Sequence, residues 1–491
     1  MPPLILALDQ GTSGSAAMIV DQRGEIVASA DEPVALEYPQ PGWVEADAGE
    51  MLRATSRAAN QALQAAGIGW SALAGIGIAN QRETTIVWDR LSGQPVGPAI
   101  IWQCRRTAAM CANLVRAGHE NMVRSRTGLP IDPYFSATKM RWLLDHAPDG
   151  QARAEAGELL AGTVDSWLMW KLAGGRAHLT DFTNASRTML FNIHSRAWDA
   201  DLLTMLNIPR TILPDVQASS GYFADTVSGV PILGVAGDQQ AALFGQACLR
   251  PGQSKNTYGT GAFLVMNTGS DAVNSRHGLL TTLAIDAAAG SCYGLEGAAF
   301  TAGAAIQWLR DNLALITTAA ESEALARAVP DNGGVYFVPA FAGLGSPHWD
   351  ATARGVIVGL TGGVKREHIV RATLEAIAFQ SADLLSAFAA DYAGQAAAVR
   401  VDGGGSANDF LMQFQADIAG VAVERPKQRE TTALGAAYLA GLAAGVWKDT
   451  SDIARLPALD RRFEPAMPPA QREHLQANWH RAVERAKGWA G

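Results

Sequence analysis

Apolar and polar positions change over in short blocks near the start of the chain. Three apolar runs, residues 4–8, 16–20 and 26–30, are separated by the turns Gly11-Thr12-Ser13-Gly14 and Asp21-Gln22-Arg23-Gly24. That spacing predicts a hairpin continued by a third strand. The pattern returns past the middle, where residues 254–258 and 262–267 flank Gly259-Thr260-Gly261 and strand-like runs follow at 279–285 and 291–295. Two such stretches predict an internal duplication in which each half opens with a glycine-turn hairpin. The break falls near Leu249-Arg250-Pro251-Gly252, after the helix-like residues 239–247, which divides the chain into halves 1–249 and 250–491. Asp47 is placed to cap a helix running to about residue 66, with Glu50 at the capping-box position. Residues 136–146, 301–312, 366–392 and 471–489 carry further helical spacing. Strands alternating with helices make this an α/β chain with mixed sheets.

A chain of 491 residues is too long for one core, which agrees with two domains. Net charge of −8, with no long run of lysine or arginine, excludes the basic stripe of a nucleic-acid partner. Four cysteines without C-x-x-C spacing (Cys104, Cys111, Cys248, Cys292) read as reduced thiols of a cytoplasmic protein. The apolar start lacks a basic leader region and meets Asp9 at once, so it reads as a strand. Residues 431–447 carry no charge but fall short of the roughly 20 residues a membrane span needs, and their Ala and Gly predict a closely packed buried helix.

Chemistry gathers at the ends of the apolar runs. Arg82 and Glu83 follow the buried-strand pattern Gly75-Ile76-Gly77-Ile78-Ala79, where a parallel-type sheet holds its ligand. Side by side they offer donors and acceptors without net charge, which suits a neutral polyol better than a phosphorylated or carboxylated molecule. Asp9 precedes the Gly/Ser/Thr turn at residues 11–15, whose amides can form an anion nest while the carboxylate holds Mg²⁺ through water. No Gly-Lys-[Ser/Thr] follows, so this is not a Walker loop. Asp238, after the apolar run 232–236, stands where it can cap the following helix, take a proton from a hydroxyl, or both. Asn256–Gly261 and Val401–Asn408 add two glycine turns; three glycines in a row let a phosphate approach the backbone closely, although a tight turn alone also accounts for each.

Strand-end acids and glycine turns in both halves resemble the sugar-kinase, actin and heat-shock ATPase superfamily. Within it, Tyr134-Phe-Ser-Ala-Thr-Lys139-Met-Arg-Trp142 and residues 355–362 through 368–372 resemble the two signature regions of the FGGY carbohydrate kinases. The segments 80–88, 101–106, 128–134, 181–191 and 237–246 narrow the resemblance to the members of that family that phosphorylate glycerol. The implied fold is two duplicated ribonuclease H-like (actin/hexokinase-type) α/β domains with a nucleotide cleft between them. The implied reaction is ATP-dependent, Mg²⁺-requiring phosphorylation of glycerol to sn-glycerol 3-phosphate, completed by domain closure. A dimer or tetramer is implied as well.

Carried over position by position, the resemblance assigns the polyol to Arg82, Glu83, Trp102, Tyr134, Asp238, Gln239 and Phe263, with Asp238 as general base. It assigns the nucleotide to Thr12, Ser13, Gly14, Thr260, Gly303, Gln307, Gly404 and Asn408, and Mg²⁺ to Asp9. A pentulose kinase and a non-catalytic sensor are the alternatives; the Arg82-Glu83 pair with Trp102 argues against the first, and the retained Asp9 and Asp238 against the second. The chain departs from the family's usual pattern where Ser13-Gly14-Ser15-Ala16 ends on Ala16 rather than a basic residue. Loss of such a phosphate donor costs on the order of 10²–10³ in rate. Residues 222–230 also lack the Gly/Lys/Arg-rich loop that binds an inhibitory sugar bisphosphate in some bacterial members, and the phosphorylatable His found in others, so neither control is expected.

Overall fold

The computed structural model describes residues 2–285, 292–392 and 397–490. The first sheet is built from β1 (Leu4–Gln10), β2 (Gly14–Val20), β3 (Ile26–Pro33), β4 (Leu73–Asn80), β5 (Ser220–Asp225) and β6 (Pro231–Gly237), in spatial order β5-β6-β4-β1-β2-β3. Its centre, β6-β4-β1, is parallel, and the hairpin strands β2 and β3 extend it antiparallel. The second sheet takes β7 (Ser254–Tyr258), β8 (Ala262–Gly269), β9 (Leu280–Leu283), β10 (Tyr293–Ala299), β11 (Ala398–Asp402), β12 (Ala422–Pro426) and β13 (Leu459–Phe463), in order β9-β10-β8-β7-β11-β12-β13. Here β12-β11-β7 is the parallel centre and β8 and β10 the antiparallel extension. The sheets share one plan, as the repeated hairpin pattern predicts. In the second half the expected run at 291–295 is found as β10, and Ser291 lies outside the described residues.

The helices follow the predicted spacing, with corrections at their ends. α1 (Ala48–Ala66) is capped by Asp47, whose side chain accepts from the Gly49 amide at 2.7 Å. Glu50 does not close the expected capping box; its carboxylate is drawn to Arg53 and Arg57 at 2.8 and 2.7 Å. α2 (Ser136–His146) has the predicted bounds. α3 (Asp238–Gly245) is N-capped by Gly237, so Asp238 is the first helical residue and not the cap. α4 (Gly303–Asp311) begins two residues later than expected, and the amides of Ala302 and Gly303 at its start donate to the carbonyls of Thr260 and Gly259. α5 (Arg366–Asp391), α6 (Thr431–Ala443) and α7 (Pro469–Ala486) complete the frame.

Strand β1 is buried on both faces, which explains its unbroken apolar run. Leu6 and Leu8 join α1 in the main core of the first half, whereas Ile5 and Ala7 meet α6 on the opposite face. Helix α6 belongs to the second half by sequence but packs on the first half's sheet. Glycines permit this: a Cβ on Gly77 would lie 2.0 Å from the Ala436 carbonyl oxygen, and one on Gly435 1.9 Å from that of Ala241. The charge-free stretch is thus a buried helix, and among the described residues no helix is long and apolar enough to cross a membrane. Cys104, Cys111 and Cys248 are free thiols and buried.

Candidate active site

The parallel centre of the first sheet delivers its polar residues from strand ends. β1 ends at Asp9-Gln10, β4 runs into Arg82-Glu83, and β6 runs into Asp238 at the start of α3. Glu83 is fixed in the left-handed region, φ 59°, a conformation that costs a non-glycine residue on the order of 1 kcal/mol. Its carbonyl accepts from Ser136, at the start of α2, and from Thr85. Three aromatic rings stand around these polar ends: Trp102 lies edge-on to Tyr134 and Phe263, with centroids 5.6 and 5.8 Å apart. Phe263 comes from β8, in the other half of the chain.

One cavity of about 170 Å³ is lined by Arg82, Glu83, Trp102, Tyr134, Asp238, Gln239 and Phe263, all seven residues predicted for a polyol. Asp9, Thr12 and the turn Gly259-Thr260-Gly261 line it too. A second cavity of about 520 Å³ adjoins it, since Gly259 and Thr260 line both. Gly303, Gln307, Gly404 and Asn408 lie along this second cavity. At Gly404 a Cβ would meet nothing within 4 Å, so the backbone borders open space there. Ser13 and Gly14 line neither cavity: Ser13 is exposed and its carbonyl accepts from Val34, while Gly14 opens β2.

The sequence pattern did not reveal what surrounds the Arg82-Glu83 pair. Arg82 and Glu83 do not chiefly bind one another, their nearest charged atoms being 3.9 Å apart. Arg82 donates to both carboxylate oxygens of Glu296, at 2.6 and 2.8 Å, and to Gln240 at 3.1 Å. Glu83 instead accepts from Arg187 at 2.6 Å, and Arg187 also donates to Glu296 at 3.0 Å. Burial pushes the Glu296 carboxyl up, but Arg187 and Arg82 overcome this and hold it down at about 2. Burial raises the Glu83 carboxyl despite Arg187 and Arg82. Glu296 is a single charge within the otherwise apolar strand Tyr293–Ala299, a legible sign of a buried partner.

Asp238 sits at the mouth of the cavity. One of its oxygens lies 3.3 Å from Arg82 Nε, and it accepts from the Gln239 amide at 2.7 Å. Gln239 is oriented from behind by Lys255, whose Nζ donates to Gln239 Oε1 and to Thr257 at 2.7 Å. Lys255 is fully enclosed, and burial draws its ammonium down to about 8. Lys139, another enclosed lysine drawn down to about 7 by burial, donates to the Tyr134 carbonyl at 2.7 Å. The Trp102 indole donates to Thr12 at 2.9 Å, tying the first glycine turn to the aromatic wall. Asp9 is pushed up to about 7 by burial and by the carboxylates of Asp238, Glu430 and Asp31. Ala16 lies opposite Asp9 and Asp31 in the strand register, so the position of the missing basic residue borders this acidic group.

Residues 4–245 match the N-terminal domain, and residues 254–444 the C-terminal domain, of the FGGY family of carbohydrate kinases. The chain belongs to this family. Within it, the similar proteins are glycerol kinases: the chain is 56% identical over 490 residues to glycerol kinase 2 of Thermotoga maritima, covering 99% of each chain. It is 54% identical over 486 residues to glycerol kinase of Pseudomonas fluorescens, covering 99% of this chain and 97% of that one. Among solved structures, Plasmodium falciparum glycerol kinase with ADP superposes with a TM-score of 0.90 at 34% identity, covering 99% and 98% of the two chains. Xylulose kinase from Lactobacillus acidophilus, at 22% identity and a TM-score of 0.86 over 98% and 97%, shares the fold.

Proposed function

We propose that this chain is a glycerol kinase that moves the γ-phosphoryl of ATP to a terminal hydroxyl of glycerol, giving sn-glycerol 3-phosphate and ADP. The observation that carries the reading is that all seven polyol-assigned residues line one small cavity, which meets a larger cavity at Gly259-Thr260. About 170 Å³ is well under the roughly 300–1,000 Å³ of pockets for drug-sized ligands, which favours a three-carbon substrate. The lining offers one cation, Arg82, against the carboxylates of Glu83, Asp238 and Asp9, a balance that disfavours an anionic substrate.

In this reading Trp102, Tyr134 and Phe263 cover the carbon chain, while Arg82, Glu83, Asp238 and Gln239 take the hydroxyls. Asp238 accepts the proton of the attacking hydroxyl as its oxygen bonds to the γ-phosphorus and the bond to the ADP oxygen breaks. Thr260, Gly303, Gln307, Gly404 and Asn408 hold the nucleotide along the larger cavity. Thr12, Ser13 and Gly14 form the turn beside the transferring phosphate. Mg²⁺ fits this site: Asp9 is buried beside the carboxylates of Asp238, Glu430 and Asp31, and among the described residues there is no cluster of three potential ligands, so phosphate oxygens would complete the shell, as Mg²⁺ prefers. When bound, the ion neutralises phosphate charge during transfer.

Turnover of ATP with glycerol, dihydroxyacetone and xylulose tests the reading. Glycerol is expected to be the preferred acceptor; preference for xylulose, or no turnover with any of the three, overturns it.

A further inference from the structure

Arg82 carries five N–H donors, and the fold consumes them selectively. Its two terminal nitrogens are taken by Glu296 and Gln240, while Nε is enclosed and has no hydrogen-bond partner. That nitrogen belongs to a residue lining the small cavity and lies 3.3 Å from an Asp238 oxygen. A guanidinium held at one edge by a bidentate carboxylate cannot rotate about its long axis, so the free edge has a fixed direction. The clamp comes from the other half of the molecule, because Glu296 lies on β10 of the second sheet and Arg82 follows β4 of the first. Arg187 closes the circuit by donating to Glu83 and to Glu296. The circuit of two arginines and two glutamates is buried, with every member at most 2% exposed.

We infer that Glu296 and Arg187 are positioning residues for the polyol site: they fix Arg82 and Glu83 from behind, and so preset the donor and acceptor that meet the substrate hydroxyls. This rests on the glycerol reading of the cavity. A structural ion pair would account for the burial and the short distances. Arg187 Nη1 is likewise enclosed without a hydrogen-bond partner, but only the Arg82 edge left open by the clamp belongs to a cavity-lining residue, with Nε 3.3 Å from the cavity-lining Asp238, so that edge is the one placed to meet a ligand.

Kinetics in both substrates, with thermal midpoints measured with and without saturating glycerol, test this on Glu296→Gln, Arg187→Gln and the double variant. Glu296→Gln keeps the shape of the side chain and removes its charge. The expected result is a rise of tenfold or more in KM for glycerol, a KM for ATP within about twofold of wild type, and a smaller glycerol-induced thermal shift. Should the single variants fail to fold, the charge-balanced double variant carries the test. It is expected to recover the ligand-free midpoint while its KM for glycerol stays high. Recovery of both together, an unchanged KM for glycerol, or an equal rise of both KM values would overturn the positioning role. Failure of wild-type enzyme to use glycerol would defeat the functional reading instead, so the two outcomes are separable.

Discussion

The two adjoining cavities are built by different means. The small one is walled by side chains whose partners are already assigned: Arg82 by Glu296, Glu83 by Arg187, Gln239 by Lys255 and Tyr134 by the packing of Trp102. The large one is bordered in good part by glycines and alanines, among them Gly259, Gly303, Gly404, Gly405 and Ala407, beside the apolar side chains of Ile306, Leu374, Ile377 and Leu411. In the proposed reading, the first would specify its ligand through charges fixed before it arrives. The second leaves room, and its precision comes from where turns allow close approach. Substitutions should therefore separate: side-chain changes in the small cavity act on the polyol and the chemistry, and added bulk in the large one acts on the nucleotide.

The largest break in that comparison is expected from Asp238→Asn. Loss of the base should lower kcat by about 10²–10⁴ while glycerol still raises the thermal midpoint; unimpaired turnover would remove Asp238 from this role. Ala16→Arg comes next. A cation set opposite Asp9 and Asp31 should raise kcat/KM for ATP by up to about 10² with little change in KM for glycerol. No gain would mean that the first turn needs no basic residue. Gly404→Val fills the open side of the large cavity and is expected to cost about 1–3 kcal/mol of nucleotide binding, read as a rise in KM for ATP alone.

The smallest effect is one of pH. Asp9 has a folded-state value of about 7, raised from 3.8, so the folded protein keeps a proton that the unfolded chain has released. Stability of the ligand-free protein should then fall as pH rises between these values, and level off above about 7. Asp165, also raised to about 7 by burial, contributes with the same sign, so Asp9→Asn should flatten only part of the slope of thermal midpoint against pH. An unchanged slope would show that Asp9 is already ionised in the free protein.

The legible parts of this molecule were those encoded by neighbours in sequence. The glycine turns, the strand ends at Asp9 and Asp238 and the bounds of α2 all follow from local pattern. The Arg82-Glu83 pair is legible as a polar site without net charge, but the residues that hold it in place come from 214 and 104 positions away. No periodicity reports such distances. Glu50 is a milder case, in which nearby arginines on the same helix outcompeted the backbone amide for its carboxylate.

Helix α6 carries a consequence for how this protein can be recombined. Its backbone touches β4 and α3 at Gly77, Gly245 and Gly435, where any side chain would collide with a peptide group. A helix encoded near the C terminus is thus a fitted component of the N-terminal half. The halves are not interchangeable cassettes: a chimera joined at residue 250 would part α6 from the strands cut to receive it, whereas one that transfers residues 431–443 together with the first half keeps that seam intact.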